Sequence, residues 1–213
     1  MKKLLILLFL ILISVNSYGE VELDFSSDTF CDQSPKVQVR NNLYYLPNTE
    51  KPYSGENLCV YLSNSQYYSQ GKIKNGLRDG TWTYWNENGQ TRSVATYKDN
   101  QIERQKNYQN GALINETQYR YYENGQISSE RNEKDGKKDG KWTIWLENGQ
   151  IKLEENYKDG VLDGKSTSWT ENGQKQKDAN YKDGNYDGNY TYWFADDWIV
   201  EKLYQDGECI SGC

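Results

Sequence analysis

The sequence predicts an all-β fold, an antiparallel array of β-hairpin repeats laid out as a single extended, twisted sheet. Three observations carry this. The tetrapeptide Glu-Asn-Gly-Gln occurs four times, beginning at Glu87, Glu123, Glu147 and Glu171; the last three copies are 24 residues apart and the first gap is 36. A fixed period of this size marks stacked repeats rather than one central core. Each copy carries Asn-Gly, a strong short hairpin signal, and the residues on either side alternate between large apolar and polar.

The chain opens Met1-Lys2-Lys3, runs through an apolar stretch from Leu4 to Ile13 and reaches Ser17-Tyr18-Gly19. This order of basic, apolar and small residues is that of a secretory signal peptide, residues 1–19, with cleavage after Gly19. The stretch is shorter than the roughly 20 apolar residues that span a bilayer. Residues 20–41 form an N-terminal segment, and 42–213 a repeat domain. The mature chain is expected to be exported, to the periplasm, the cell surface or the medium, as a monomer without an integral membrane segment.

The clearest unit runs from Asp139 to Gly160. With Asn148-Gly149 as a two-residue type I′ turn, Glu147 pairs with Gln150 and the register follows outward. Leu146 faces Ile151, Ile144 faces Leu153, Trp142 faces Glu155 and Gly140 faces Tyr157, all on the more apolar side of the sheet. There a tyrosine ring can cover the backbone that its glycine exposes. The same register sets Gly80 against Tyr97 and Gly164 against Tyr181. Tyr-Lys-Asp-Gly followed by Asp-Gly joins successive hairpins, since Asp and Gly suit tight reversals. In the 36-residue gap, Gln101 to Tyr108 resembles Gln90 to Tyr97. One extra strand there would place the Asn124-Gly125 turn on the opposite edge from Asn88-Gly89, whereas two short strands in place of one would keep it on the same edge.

Tyr-Lys-Asp-Gly, Asp-Gly-x-Trp-x-x-Trp and Glu-Asn-Gly-Gln together resemble the bacterial MORN-repeat variant family over roughly Asn42 to Gly207, with a degenerate early unit at Tyr44 to Gly55. The resemblance implies a MORN-like hairpin meander. It also implies, through the label that many such bacterial proteins carry, an antitoxin-like partner of a toxin.

Cys31 and Cys59 precede the regular repeats and Cys209 and Cys213 follow them. In an exported chain four cysteines make two disulfides, with three connectivities open. Pairing within each end, Cys31 with Cys59 and Cys209 with Cys213, would staple the two terminal units, which have a neighbour on one side only.

Loss of Lys2 and Lys3 leaves 23 basic against 31 acidic residues, a balance that disfavours nucleic acid and anionic lipid. Histidine is absent, which removes Ser-His, Cys-His and His-ligated metal chemistry together. The Asp-Gly pairs, such as Asp159, Asp163, Asp183 and Asp187, match no calcium loop and suit turns. No catalytic residue, metal or cofactor is expected.

The candidate binding residues are Trp85, Tyr121, Trp145, Trp169 and Trp193, each of the first four standing two positions before Glu-Asn-Gly-Gln. The two-residue register turns them away from the Gly–Tyr pairs, beside Arg92, Ser128, Lys152 and Gln176, about 10 Å apart on alternate strands. Such a ladder can grip an extended protein segment or stack on a glycan; the competing reading makes it the core of a thin sheet. The expected function is a non-enzymatic binding or scaffold surface for a protein partner, with a glycan or cell-wall ligand as the alternative.

Overall fold

The computed structural model describes residues 29–30, 37–195 and 198–213. The signal segment and Cys31 lie outside them. Among the described residues seventeen strands follow one another: β1 (Thr29–Phe30), β2 (Gln38–Arg40), β3 (Leu43–Tyr45), β4 (Gly55–Tyr61), β5 (Tyr67–Lys74), β6 (Leu77–Trp85), β7 (Thr91–Lys98), β8 (Gln101–Gln109), β9 (Ala112–Tyr121), β10 (Ile127–Lys134), β11 (Lys137–Trp145), β12 (Ile151–Lys158), β13 (Val161–Trp169), β14 (Lys175–Lys182), β15 (Asn185–Trp193), β16 (Ile199–Gln205) and β17 (Glu208–Ser211). Fifteen form one antiparallel sheet in which β4 to β17 pair in chain order and β1 pairs with β4; β2 and β3 form a separate hairpin.

Two kinds of reversal alternate. On one side of each repeat the turn has two residues, as at Asp159-Gly160, both at positive φ (51° and 98°) between the paired Lys158 and Val161. Asp and Gly tolerate that conformation, so this is where the type I′ turn sits. The Asn-Gly turns differ from expectation. Leu146 N–H donates to Gln150 O at 2.8 Å and Gly149 N–H to Leu146 O at 2.9 Å, a three-residue loop of Glu147, Asn148 and Gly149. Only Gly149 takes positive φ (83°).

The outer register nonetheless holds: Gly140 pairs with Tyr157, Trp142 with Glu155 and Ile144 with Leu153. The next pair is Trp145 with Ile151, so Lys152 is an extra, bulged residue. A three-residue loop shifts the register by one, and the bulge shifts it back. Arg92, Ser128 and Gln176 are bulged in the same way.

The second Asp-Gly of each repeat is also not a reversal. Between Glu155–Ser166 and Tyr157–Leu162 one residue, Asn156, lies opposite three, Asp163, Gly164 and Lys165. Gly164 has φ +106°, which explains the glycine better than ring cover does. Asn156 Nδ2 spans the bulge to donate to Lys165 O at 2.7 Å, as Asn132 does to Lys141 O at 2.6 Å. The aspartates accept from neighbouring turns, Asp163 Oδ2 from Asp183 N–H at 3.3 Å and Asp139 Oδ2 from Asp159 N–H at 3.4 Å.

Three strands, β7, β8 and β9, separate the Asn88-Gly89 turn from Asn124-Gly125, whereas two separate each later pair. The extra strand thus moves the Asn-Gly turns to the opposite edge, where Gln101, beside the β7–β8 turn, donates to Gly125 O at 3.2 Å.

The core sits at the N-terminal end. There the β2–β3 hairpin lies on one side of the sheet, hereafter the near face. Tyr44 joins Ile73, Trp82, Ala95, Tyr97 and Ile102 in one buried cluster, edged by Val37, Val39 and Tyr119. Trp82 is 1% exposed, its ring packed on Gly71 and its Nε1 donating to Lys72 O at 3.1 Å. Cys209–Cys213 is a disulfide with Cα atoms 6.0 Å apart. Cys59 is disulfide-bonded too, and Cys31, the partner expected for it, lies outside the described residues.

Candidate functional site

Directly opposed residues in an antiparallel ladder point to the same face, so the pairings trace each face across the sheet. Ala95 pairs with Trp82 and with Gln105, and Gln105 with Thr117, so Thr117 shares the near face. Tyr119 and Tyr121 follow at alternate positions, and Tyr119 pairs with Glu130, Glu130 with Thr143. The near face beyond β8 therefore carries Trp145, two residues after Thr143. Arg104 pairs with Gln118, Gln118 with Arg131 and Arg131 with Trp142, all on the far face.

Trp142 is the repeat equivalent of Trp82, yet the two lie on opposite faces. An odd number of added strands reverses strand direction while the sheet keeps growing the same way, which turns the repeat over. The expected stripe is broken at this point. Tyr121, Trp145, Trp169 and Trp193 share the near face; Trp85 lies on the far face, its ring 5.8 Å from that of Tyr67.

All five are half-buried. Their partners are Thr91, Ile127, Ile151, Lys175 and Ile199, not the bulged residues expected beside the first four. Arg92 instead lies over Tyr68 and Tyr84, at 5.4 and 5.9 Å. From β9 on, the near face thus has a row of aromatic and aliphatic side chains along the Asn-Gly edge. An open groove meets this row at Trp193, between Thr170, Lys175 and Phe194. Above the row the face is charged. Asp178 accepts from Lys175 at 2.9 Å, Lys165 at 3.1 Å and Thr167 at 3.1 Å. Burial opposes its ionisation, but these donors together hold its pKa below the usual carboxylate value.

The far face of β10 to β16 holds a second constellation, which the sequence reading missed. Lys138 Nζ lies 4.1 Å over Trp142 and 4.4 Å over Tyr157, and Arg131 lies 5.1 Å over Trp142. Tyr157 donates to Glu155 at 2.6 Å; burial first, then this hydrogen bond, raises its pKa well above the phenol range. Further along, the Tyr186 ring lies 4.6, 5.2 and 4.9 Å from those of Tyr181, Tyr190 and Tyr204. The sequence signal for this face was present, since Lys138, Trp142 and Tyr157 stand 60 residues after Arg78, Trp82 and Tyr97.

In the first of these constellations the near-face hairpin completes the site. Arg78 donates to Tyr84, Tyr97 and Tyr44 hydroxyls at 3.1, 3.2 and 3.3 Å. Burial works against its charge, and the phenol oxygens of Tyr84, Tyr44 and Tyr97 more than offset it. Among the described residues no group of three or more histidine, cysteine or carboxylate side chains is placed to hold a metal ion.

A meander of bulged hairpins, repeating every two strands and stitched by Asn and Asp side chains, defines a β-hairpin repeat protein. Four stretches of it, residues 78–99, 117–132, 138–159 and 162–183, match the model of the MORN repeat variant family. Comparison with curated proteins found no match.

Proposed function

We propose that this chain is an exported, non-enzymatic scaffold that binds a protein partner on the sheet surface from β10 to β16. The observation that carries the reading is the uneven cover of the sheet. The β2–β3 hairpin buries Trp82 and Tyr97, whereas among the described residues no second layer lies over β10 to β16 and their aromatic rings remain half-buried. Partly covered aromatic side chains beside polar groups are typical anchors for protein contacts. Disulfide-bonded Cys59, Cys209 and Cys213 suit an oxidising compartment outside the cytoplasm, and the absence of histidine supports a non-catalytic role.

The test is affinity capture from envelope extract with the oxidised protein, beside an unrelated acidic β-protein as bait. A specific protein retained by the chain, and lost on substitution of aromatic residues in β10 to β16, supports the reading. Retention no better than the control bait defeats it. The cluster of Tyr181, Tyr186, Tyr190 and Tyr204 favours a second reading, stacking on a glycan, which binding to cell-wall polysaccharide in the same assay would reveal.

A further inference from the structure

The two equivalent constellations differ in one respect that matters for recognition. Arg78, Trp82 and Tyr97 are covered by a strand that brings Tyr44, whose hydroxyl accepts from Arg78 Nε and Nη2, both at 3.3 Å. Lys138, Trp142 and Tyr157 lie on the far face with no such strand over them among the described residues. Here Arg131 stands where the first unit has Gly71, so the site holds two cations in place of one. Neither Arg131 nor Lys138 forms an ion pair among the described residues. Lys138 Nζ donates to the Tyr157 hydroxyl at 3.4 Å, which in turn donates to Glu155, and Glu133 accepts from Gln118. Arg131 Nε is buried and has no acceptor, a costly state for a charged donor.

We propose that the Trp142 site docks an extended, acidic protein segment carrying a tyrosine. Its ring covers Lys138 and Trp142 as Tyr44 covers Arg78 and Trp82, and its carboxylates pair with the half-buried Arg131 guanidinium and with Lys138. The chain's own hairpin supplies the shape of the complex, and two cations without an ion-pair partner on an otherwise acidic protein (net charge −6) supply its sign. This deepens the protein-binding reading by naming the site and the chemistry of its partner.

A fluorescent glutamate–tyrosine copolymer peptide serves as the probe, with polyglutamate and a lysine–tyrosine copolymer of equal length as controls, titrated against the full oxidised chain by anisotropy. The glutamate–tyrosine probe binds at least tenfold tighter than either control. Arg131→Gln and Lys138→Gln each weaken it by about tenfold, the size expected for loss of one charge-assisted hydrogen bond. Arg92→Gln, on the near face, leaves it unchanged, and circular dichroism of each variant confirms the sheet. Equal binding of polyglutamate or of the lysine–tyrosine probe overturns the proposal. So does indifference to both far-face substitutions, or a chitin oligosaccharide that binds through Trp142 when the peptide does not. If envelope capture yields a partner that needs Trp145 and Trp169 but not Arg131, the scaffold reading stands and this inference falls.

Discussion

Replacing Trp82 and Trp142 separately with alanine tests the inversion and the one-ended core together. The two residues occupy the same repeat position. Trp82 is 1% exposed and loses, on truncation, its seat on Gly71, ring contacts to Tyr84 and Tyr97 at 6.3 and 6.2 Å and its hydrogen bond to Lys72 O. A fully buried tryptophan of this kind costs about 3–5 kcal/mol, and at about 2–4 °C per kcal/mol for a chain of this size Tm falls by about 6–20 °C. Trp142 is half-buried, with no hairpin above it, so about half that loss is expected, about 1.5–2.5 kcal/mol. Thermal melts followed by far-ultraviolet circular dichroism on the oxidised chain read both. A double-mutant cycle adds a sharper test, because Tyr44→Ala couples to Trp82→Ala by about 0.5–3 kcal/mol if they share one cluster and not to Trp142→Ala. Equal melting losses at the two tryptophans, or coupling of Tyr44 to Trp142, would refute the placement of the repeats on opposite faces.

Other outcomes follow from single groups. Gly164→Ala places a Cβ 3.3 Å from that of Asn156 at φ +106°, while Gly80→Ala meets nothing within 4 Å at φ +78°; both pay the positive-φ cost of about 1–2 kcal/mol, and urea unfolding shows Gly164→Ala to be the worse. Asp178 has a folded pKa below its unfolded value, so its contribution is present above about pH 4 and lost as pH falls through the folded value. Asp178→Asn therefore costs up to about 1 kcal/mol at pH 7 and less at pH 3, and an unchanged difference at the two pH values would exclude the three donors as the cause. Cys209→Ser opens a small loop worth about 2 kcal/mol in the chain-entropy view; amide exchange should quicken in β16 and β17 and stay unchanged in β4 to β12.

The repeat length, the hairpin meander and the register Gly140–Tyr157 were legible because they depend on local alternation and on residues that only turns favour. The turn type was not. Asn148-Gly149 satisfies a two-residue turn and a three-residue loop equally well in sequence, and the bulge at Lys152 cancels the difference, so the register came out right through two compensating deviations. Asp163-Gly164 looked like a reversal because this three-against-one bulge uses the same positive-φ glycine as a turn does. The candidate stripe was legible as a row of rings but not as a split row. Its half-buried state lies between the two roles that the residues alone left open.

The 36-residue gap is the feature with the largest physical consequence. A sheet that grows by two strands per repeat keeps every equivalent side chain on one face. One strand more reverses strand polarity for everything that follows, and because the direction of growth is unchanged, front and back must exchange. β8 therefore divides one repeat motif into two presentations. Before it, the Trp–Tyr constellation turns toward the hairpin and becomes core. After it, the same constellation turns to the uncovered far face, and the Trp145, Trp169 and Trp193 row takes the near face. The Trp and the Tyr are the same in both presentations, and the layer packed over them decides which role they take. A single additional strand is thus enough to turn the same motif from a covered face to an uncovered one, where Arg131 stands at the position that Gly71 holds under the Trp82 ring.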